Sequence, residues 1–365
     1  MRKFQEAIDR RIAFHNGEMR DGILLTLSLP STSGDYYGRT EEKNHLWVER
    51  DCYIVDPQNR INLINEYIRR IESRPMISDD YVPVEYPALH LGESYCAAML
   101  GADIHFYGNE NYTCSGAKPL IKNEKDLDKL VIAPENYWIK FIQSALKHFC
   151  ELADGKMLIV PIIAMDALNL AVELMGSTEA YTAVCEAPEL LRKIMDFGVG
   201  YMAYLYKIQD DIIRPYNDMT IGGDSSAFGG LLFSVDAYTV CNPEIYKTIG
   251  FEYQQKLLDK IEYGYMHMHG FGLDMLLPLT AQLRGIKDYR LGRDLKAQEE
   301  LPVESISWMR QTLGDDKQIS TYVSQDEFIA GIENRTLPFN AHYSCWTDSD
   351  EKAKKMIEMA KNYHR

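Results

Sequence analysis

Residues 157–163 read Met-Leu-Ile-Val-Pro-Ile-Ile, an apolar run that follows a glycine-containing turn. The run is too short for a helix, and a continuous apolar run of this length is typical of a strand that is buried on both faces. Such strands belong to parallel sheets, because helices cover both faces of those sheets. The stretch therefore predicts an α/β fold with a parallel sheet.

Helical patterns alternate with further short apolar runs along the rest of the chain. Pro188 is placed to open a long helix, and Asn242 is placed to cap another. Helices are predicted at residues 58–73, 135–153, from 188 onward, 243–261 and 352–363. Strands are predicted at residues 23–29, 86–91, 157–163, 219–223, 263–269, 283–289, 318–323 and 338–343.

Alternating strands and helices of this number favour a (β/α)8 TIM-like barrel. A doubly wound sheet is the second choice, weakened because the sequence has neither a GxGxxG motif nor a P-loop. No linker or repeat divides the chain. We therefore expect an N-terminal helical and loop extension at residues 1–80, packed on a single barrel domain at residues 81–365.

The composition is that of a globular protein with an excess of acidic residues. The chain has 365 residues, of which 46% are hydrophobic, and 54 acidic against 39 basic residues give a formal net charge of −15. This charge argues against nucleic acid and membrane surfaces as partners, because it repels phosphate groups. The N-terminus lacks a signal-peptide pattern, and seven scattered cysteines without a CxxC pair indicate reduced thiols. A cytoplasmic location is expected.

Two histidines at the end of a predicted strand are the strongest candidate for a chemical site. Side chains two residues apart in a strand lie on one face, so the imidazoles of His267 and His269 are expected to be close together. Zinc needs a further ligand, and the predicted last strand ends in a segment that offers His342 and Cys345. The alternative is that the two histidines only form hydrogen bonds in a polar pocket and that Cys345 is an inert thiol.

Other candidate residues follow predicted strands or lie in nearby loops. Asp224 and Glu93 are candidate catalytic acids or bases, although a turn aspartate or a helix-start glutamate has the same pattern. Asp166 is a candidate substrate-binding residue, with a helix-start role as the alternative. Tyr36 and Tyr37 lie in a polar loop that could cover a small-molecule substrate.

Four stretches of the sequence resemble the uroporphyrinogen decarboxylase superfamily. Residues 161–176 and 187–195 match its pattern of a strand, a helix that ends at glycine and a helix that begins Pro-Glu-Leu. Residues 223–246 are similar to its glycine-rich loop, which leads to a Ser-Pro-Glu helix start and here reads Asn-Pro-Glu. The His-Met-His-Gly of residues 267–270 lies where many members carry His-x-Cys-Gly. The resemblance begins near Val82 and implies a TIM-like barrel.

The superfamily contains porphyrinogen decarboxylases without a cofactor and zinc methyltransferases that exchange methyl groups with a corrinoid protein. The decarboxylases carry an arginine-containing N-terminal stretch, to which Met19-Arg-Asp-Gly is a poor match. The zinc ligands of the methyltransferases carry over to His267, His269 and Cys345, with an imidazole in place of the middle thiolate. That exchange leaves the metal more Lewis-acidic, which favours an ether or amine leaving group over a thiol.

The resemblance therefore implies a methyltransferase that moves a methyl group from a small ether or amine substrate to a corrinoid protein. Zinc is expected at His267, His269 and Cys345, while Asp224 and Glu93 orient the substrate. His267 is also a candidate catalytic residue. The alternative is a metal-free decarboxylase or lyase that acts on a small or aromatic acid. A binding protein without catalysis ranks last, because paired histidines are costly to bury without use. Association into a homodimer is left open.

Overall fold

Helices and strands alternate along most of the chain. The computed structural model describes residues 2–29, 48–49, 53–85, 94–108, 113–161, 165–217, 230–261, 263–291 and 303–365. The described strands are β1 (Ile23–Ser28), β2 (Val48–Glu49), β3 (Val84–Glu85), β4 (Ile104–Gly108), β5 (Thr113–Ala117), β6 (Leu158–Ile159), β7 (Leu231–Ser234), β8 (Gly264–Met268), β9 (Ile286–Leu291), β10 (Gln318–Val323) and β11 (Ala341–Trp346).

The described α-helices are α1 (Gln5–His15), α2 (Pro57–Ser73), α3 (Tyr95–Met99), α4 (Tyr137–Ala153), α5 (Ala167–Met175), α6 (Ser177–Glu186), α7 (Pro188–Asn217), α8 (Asp236–Thr239), α9 (Pro243–Ile245), α10 (Phe251–Leu258), α11 (Leu273–Thr280), α12 (Val303–Leu313), α13 (Gln325–Glu333) and α14 (Asp350–Lys361). A π-helical turn, Tyr246–Gly250, joins α9 to α10.

Six strands form a parallel sheet in the order β1-β11-β10-β9-β8-β7. From β7 onward each strand is followed by a helix, as in repeated βα units. β3 pairs with β6 in a second parallel unit, and β2, β4 and β5 form an antiparallel sheet. The predicted α/β fold with a parallel sheet is confirmed, while the strand pairings of the described residues do not close the sheet into a barrel.

Most predicted helices lie close to their expected positions. α2, α4 and α7 cover the predicted segments, and α14 covers residues 350–361. Asn242 caps α9 as predicted, because its side chain accepts a hydrogen bond from the Glu244 N–H at 2.9 Å. The helix predicted over residues 243–261 is divided into α9, the π-helical turn and α10.

The predicted strands agree less well with the structure. β8 and β10 lie where expected, but β9 and β11 begin three residues later than predicted. β7 lies in a stretch that the family pattern assigned to a loop leading to a helix, and that assignment is wrong. Four residues are enough for a strand here because β8 pairs with β7 along its whole length. The strands predicted at residues 86–91 and 219–223 lie outside the described residues.

The two faces of the six-stranded sheet differ in chemistry. The register places His267 beside Arg290, Arg290 beside Ser320, and Ser320 beside His342. Paired residues in a parallel sheet point the same way, so these four share one face, which we call the inner face. Alternate residues point to the opposite, outer face and pack into the hydrophobic core; they include Met266, Met268, Tyr289, Ile319, Tyr343 and Cys345.

A buried polar network lies on the inner face. The Asp288 carboxylate accepts a hydrogen bond from Arg290 Nε at 3.0 Å. His342 Nε2 lies 2.9 Å from Thr26 Oγ1 and 3.3 Å from Arg11 Nη2. Burial, together with the nearby Arg11 and Arg290 cations, holds the pKa of His342 well below its usual range. The His342 imidazole is therefore neutral and forms part of this network.

β1 is an edge strand of the six-stranded sheet, and side chains bind its free edge. The Leu25 N–H donates to Asp80 at 2.8 Å, and the Leu27 N–H donates to Asp79 at 2.9 Å. Arg74 donates to Asp79 at 2.6 Å and to the Leu27 carbonyl at 3.0 Å. These side chains satisfy backbone groups that a neighbouring strand otherwise pairs. The segment expected to be an extension thus supplies a strand of the sheet, and a domain boundary at residue 80 stays a prediction.

No helix among the described residues combines the length and the apolar composition that a membrane span requires. Five cysteines whose side chains the structure describes are free thiols; these are Cys96, Cys150, Cys185, Cys241 and Cys345.

Candidate functional site

The two histidines of the predicted site lie together at the carboxyl end of β8. His267 is in the strand and His269 follows it directly. Their Nε2 atoms are 3.0 Å apart, and the imidazole rings are nearly perpendicular, at 88°. The expected proximity of the two imidazoles is confirmed, and it follows from the alternation of side chains along a strand.

A carboxylate that follows the neighbouring strand completes this cluster. Ser234, the last residue of β7, pairs with His267 of β8. Asp236 follows two residues later, as the first residue of α8, and its Oδ1 lies 3.5 Å from His269 Nε2. One nitrogen from each histidine and one Asp236 oxygen lie within 4.8 Å of one another. The carboxyl ends of two adjacent parallel strands therefore bring three ligand-type atoms to one place.

The separations within this cluster fit one bound metal ion. Two nitrogens bound at about 2.0–2.1 Å to one tetrahedral zinc ion lie about 3.3 Å apart. The 3.0 Å between the two imidazoles and the 3.5 Å between His269 and Asp236 lie on either side of that value. The side chains of His269 and Asp236 are 31% and 45% exposed, so the cluster lies near the surface, whereas Asp236 Oδ1 itself is buried and accepts no hydrogen bond. Two imidazoles and one carboxylate are also a donor set that zinc accepts.

Comparison with solved structures identifies a protein whose overall fold is similar to that of this chain. A methyltransferase from Methanosarcina mazei is similar over 84% of this chain and 86% of its own, with a TM-score of 0.54 and 12% sequence identity. At that identity the likeness shows the fold alone. The chain therefore shares its overall fold with this methyltransferase.

A B12-independent methionine synthase from Shewanella sp. W3-18-1, solved in complex with selenomethionine, is a more distant structural match. It matches 84% of this chain and 86% of its own, with a TM-score of 0.46 and 8% identity. No protein-family model and no curated protein matches the sequence.

Cys345 lies differently from the thiol ligand that the superfamily pattern implies. It is the fifth residue of β11, and it pairs with Val323 on one side and Leu27 on the other. This register directs its side chain to the outer face, where it is buried in the hydrophobic core, whereas His267 lies on the inner face. The metal-ligand cluster of the described residues contains Asp236 and does not contain Cys345. His342 is the second residue of β11, so it is not at the carboxyl end as expected.

Asp166 caps a helix, and its carboxyl group also interacts electrostatically with the Asp236 carboxylate of the cluster. Its Oδ1 accepts hydrogen bonds from the N–H groups of Leu168 and Asn169 at 2.8 and 3.0 Å, which caps α5. Asn169 Nδ2 donates to the other carboxylate oxygen at 2.8 Å. Burial raises the pKa of Asp166 to about 7, although the hydrogen bonds lower it. The Asp236 carboxylate adds to the rise. The helix-start role is present, and a contact of Asp166 with substrate stays a prediction.

The remaining predicted site residues cannot be placed against this cluster. Asp224, Glu93, Tyr36 and Tyr37 lie outside the residues that the structure describes. Their catalytic and substrate-binding roles stay predictions.

Sequence reasoning missed Asp236, although a signal for it was present. Gly230 is followed by Leu-Leu-Phe-Ser-Val, a short and mostly apolar run, and Asp236 comes directly after that run. The same pattern of an apolar run followed by an acid drew attention to Asp166. Once this run is recognised as a strand next to β8, the acid is expected at the same end of the sheet as His267 and His269.

Proposed function

We propose that this protein is a metal-dependent methyltransferase whose metal ion is bound by His267, His269 and Asp236. The observation that carries the proposal is the convergence of these three ligand atoms at the carboxyl ends of β7 and β8. In a barrel of βα units, that end of the sheet carries the active site. The fold shared with a methyltransferase from Methanosarcina mazei supports methyl transfer as the reaction class.

The ligand set supports a substrate with an oxygen or nitrogen leaving group. Two neutral imidazoles and one carboxylate are harder donors than the thiolates of the family pattern, and they leave a divalent ion with a net positive charge. A zinc ion bound there supplies Lewis-acid polarisation of the leaving-group atom. The proposed substrate is therefore a small methyl ether or methylamine rather than a thiol or thioether.

The proposed methyl acceptor is a corrinoid protein that docks over the carboxyl ends of the strands. Phe271 and Val240, which follow β8 and α8, are 65% and 68% exposed. A Cβ placed on Gly272 lies 3.4 Å from the Thr239 side chain, so the two loops that carry these residues are in contact. Exposed apolar side chains grouped in this way are typical of interaction surfaces. A corrinoid in the Co(I) state would supply the electron pair that accepts the methyl group, and the electron pair of the broken bond would stay on the leaving oxygen or nitrogen.

A second candidate function is a metal-free decarboxylase or lyase. A separation of 3.0 Å between two Nε2 atoms is also the length of a hydrogen bond between neutral imidazoles. With Asp236 beside His269, the same three groups can hold and transfer a proton. A small or aromatic carboxylic acid is then the substrate.

An assay of methyl transfer separates the two functions. The protein is incubated with a panel of methyl ethers and methylamines and with cob(I)alamin, whose absorption changes on methylation. We expect activity that is lost on exhaustive chelation, is restored by zinc, and is missing from His269→Ala. Activity on a carboxylic acid that persists after chelation would instead establish the metal-free function. A Phe271→Ser variant that slows transfer to the corrinoid protein but not to free cobalamin would support the docking surface.

A further inference from the structure

The short helix α8, which carries Asp236, is attached to the sheet by a buried glutamine. The Gln254 side chain belongs to α10, and its Nε2 donates to the Ser234 carbonyl at 3.0 Å. Ser234 Oγ in turn accepts a hydrogen bond from the Asp236 N–H at 3.0 Å. Gln254 therefore binds Ser234. Ser234 is the last residue of β7, and its hydroxyl oxygen accepts a hydrogen bond from the first N–H of α8.

The orientation of the Gln254 amide is fixed by its second partner. Its Oε1 accepts a hydrogen bond from the Tyr246 hydroxyl at 2.7 Å. A backbone carbonyl only accepts, so the NH2 group must face Ser234 and the amide oxygen must face Tyr246. Gln254 is 2% exposed, and water cannot replace either bond at low cost. A glutamate at this position has no N–H to donate to the Ser234 carbonyl.

The π-helical turn Tyr246–Gly250 holds α8 from the other side. The rings of Tyr238 and Tyr246 pack edge to face, with centroids 5.1 Å apart. A Cβ on Gly250 would lie 2.7 Å from Tyr238 Cζ, so the close approach of this ring requires glycine. Tyr238 lies two residues after Asp236, which means that α8 is held at Ser234 by hydrogen bonds and at Tyr238 by packing. π-helical turns are frequent next to functional sites.

We propose that Gln254 is a positioning residue that holds the Asp236 carboxylate at the distance from His269 that metal binding requires. The inference rests on the proposed function, because it takes Asp236 as a ligand. Gln254 touches neither metal nor substrate. It acts through Ser234, and with Tyr246 it gives α8 a fixed position while the face of Asp236 towards solvent stays open.

Cobalt binding tests this role without an activity assay. Co²⁺ is titrated into the metal-free protein, and the affinity and visible absorption spectrum, which reports ligand number, are recorded for wild type, Gln254→Met and Tyr246→Phe. Gln254→Met keeps the side-chain volume and loses both hydrogen bonds, and Tyr246→Phe keeps the ring packing and loses one. The matched control is Gln282→Met, an exposed glutamine that donates to the Pro278 carbonyl.

We expect Gln254→Met to weaken Co²⁺ binding about 10–100-fold and to change the spectrum, as is usual when a residue that orients a ligand is lost. Tyr246→Phe should give a smaller loss of affinity, and Gln282→Met should match wild type. Urea unfolding of each metal-free protein separates weak binding from poor folding. If Gln254→Met does not fold, the Co²⁺ affinity of Tyr246→Phe tests the positioning role instead. Wild-type affinity and spectrum in the Gln254 and Tyr246 variants would overturn the positioning role alone. If wild type binds no Co²⁺, the proposed function and this inference both fail.

Discussion

Asp166 gives the most quantitative prediction, because its carboxyl group is fully buried and its hydrogen bonds are known. Burial raises the pKa of this group from 3.8 to about 7 in the folded protein. A carboxyl whose folded pKa lies above its unfolded value stabilises the fold in its protonated form, and this contribution is lost as pH rises from about 4 to about 7. At 1.36 kcal/mol per pKa unit, the loss amounts to about 4 kcal/mol above pH 7.

Asp166→Asn removes this titration and keeps the cap, because the amide oxygen still accepts from the N–H groups of Leu168 and Asn169. We predict that the variant gains about 2–3 kcal/mol of unfolding free energy relative to wild type between pH 5 and pH 7.5. The assay is urea unfolding at several pH values in the presence of a chelator. Two stability curves that run parallel over this range would refute the reasoning, because they would show that Asp166 keeps the same pKa in the folded and unfolded chains.

Two further substitutions, with Gly200→Ala as a control, test how the fold holds the site and the edge of β1. Gly250→Ala places a methyl group against the Tyr238 ring, so it should cost about 1–3 kcal/mol in urea unfolding and weaken metal binding. Gly200→Ala, where the added Cβ meets no atom within 4 Å, should leave metal binding unchanged and stabilise the helix by about 0.5–1 kcal/mol. Asp79→Ala leaves the buried Arg74 guanidinium without its carboxylate and should cost about 3–5 kcal/mol, and a loss below 1 kcal/mol would contradict the account of the β1 edge.

The sequence predicts those elements well whose pattern is local. The helix at residues 57–73 and the strand at residues 264–268 were found because apolar spacing and side-chain alternation are set within the segment. The proximity of the His267 and His269 side chains was predicted from that alternation alone. The free edge of β1 could not be found in this way, since its partners Asp79 and Asp80 are some fifty residues away in the chain.

The prediction of the third metal ligand depended on where the strands end, and strand ends are harder to predict than the strands themselves. A last strand at residues 338–343 leaves Cys345 in a loop, where its side chain is free to turn towards the histidines. The observed strand continues to Trp346, and this fixes Cys345 on the outer face. Asp236 was overlooked for the related reason that β7 has only four residues, so its apolar run resembled a loop. An error of three residues at one strand end was therefore enough to change which residue is expected as the third ligand.

Zinc content is the most direct test of the proposed site. It is measured, after incubation with zinc and removal of unbound metal, in wild type, His269→Ala, Asp236→Ala and Cys345→Ala. The proposal predicts about one zinc per chain in wild type and in Cys345→Ala, and loss of the metal from the other two variants. Wild-type protein without zinc, or zinc that is lost from Cys345→Ala and kept by Asp236→Ala, would contradict it.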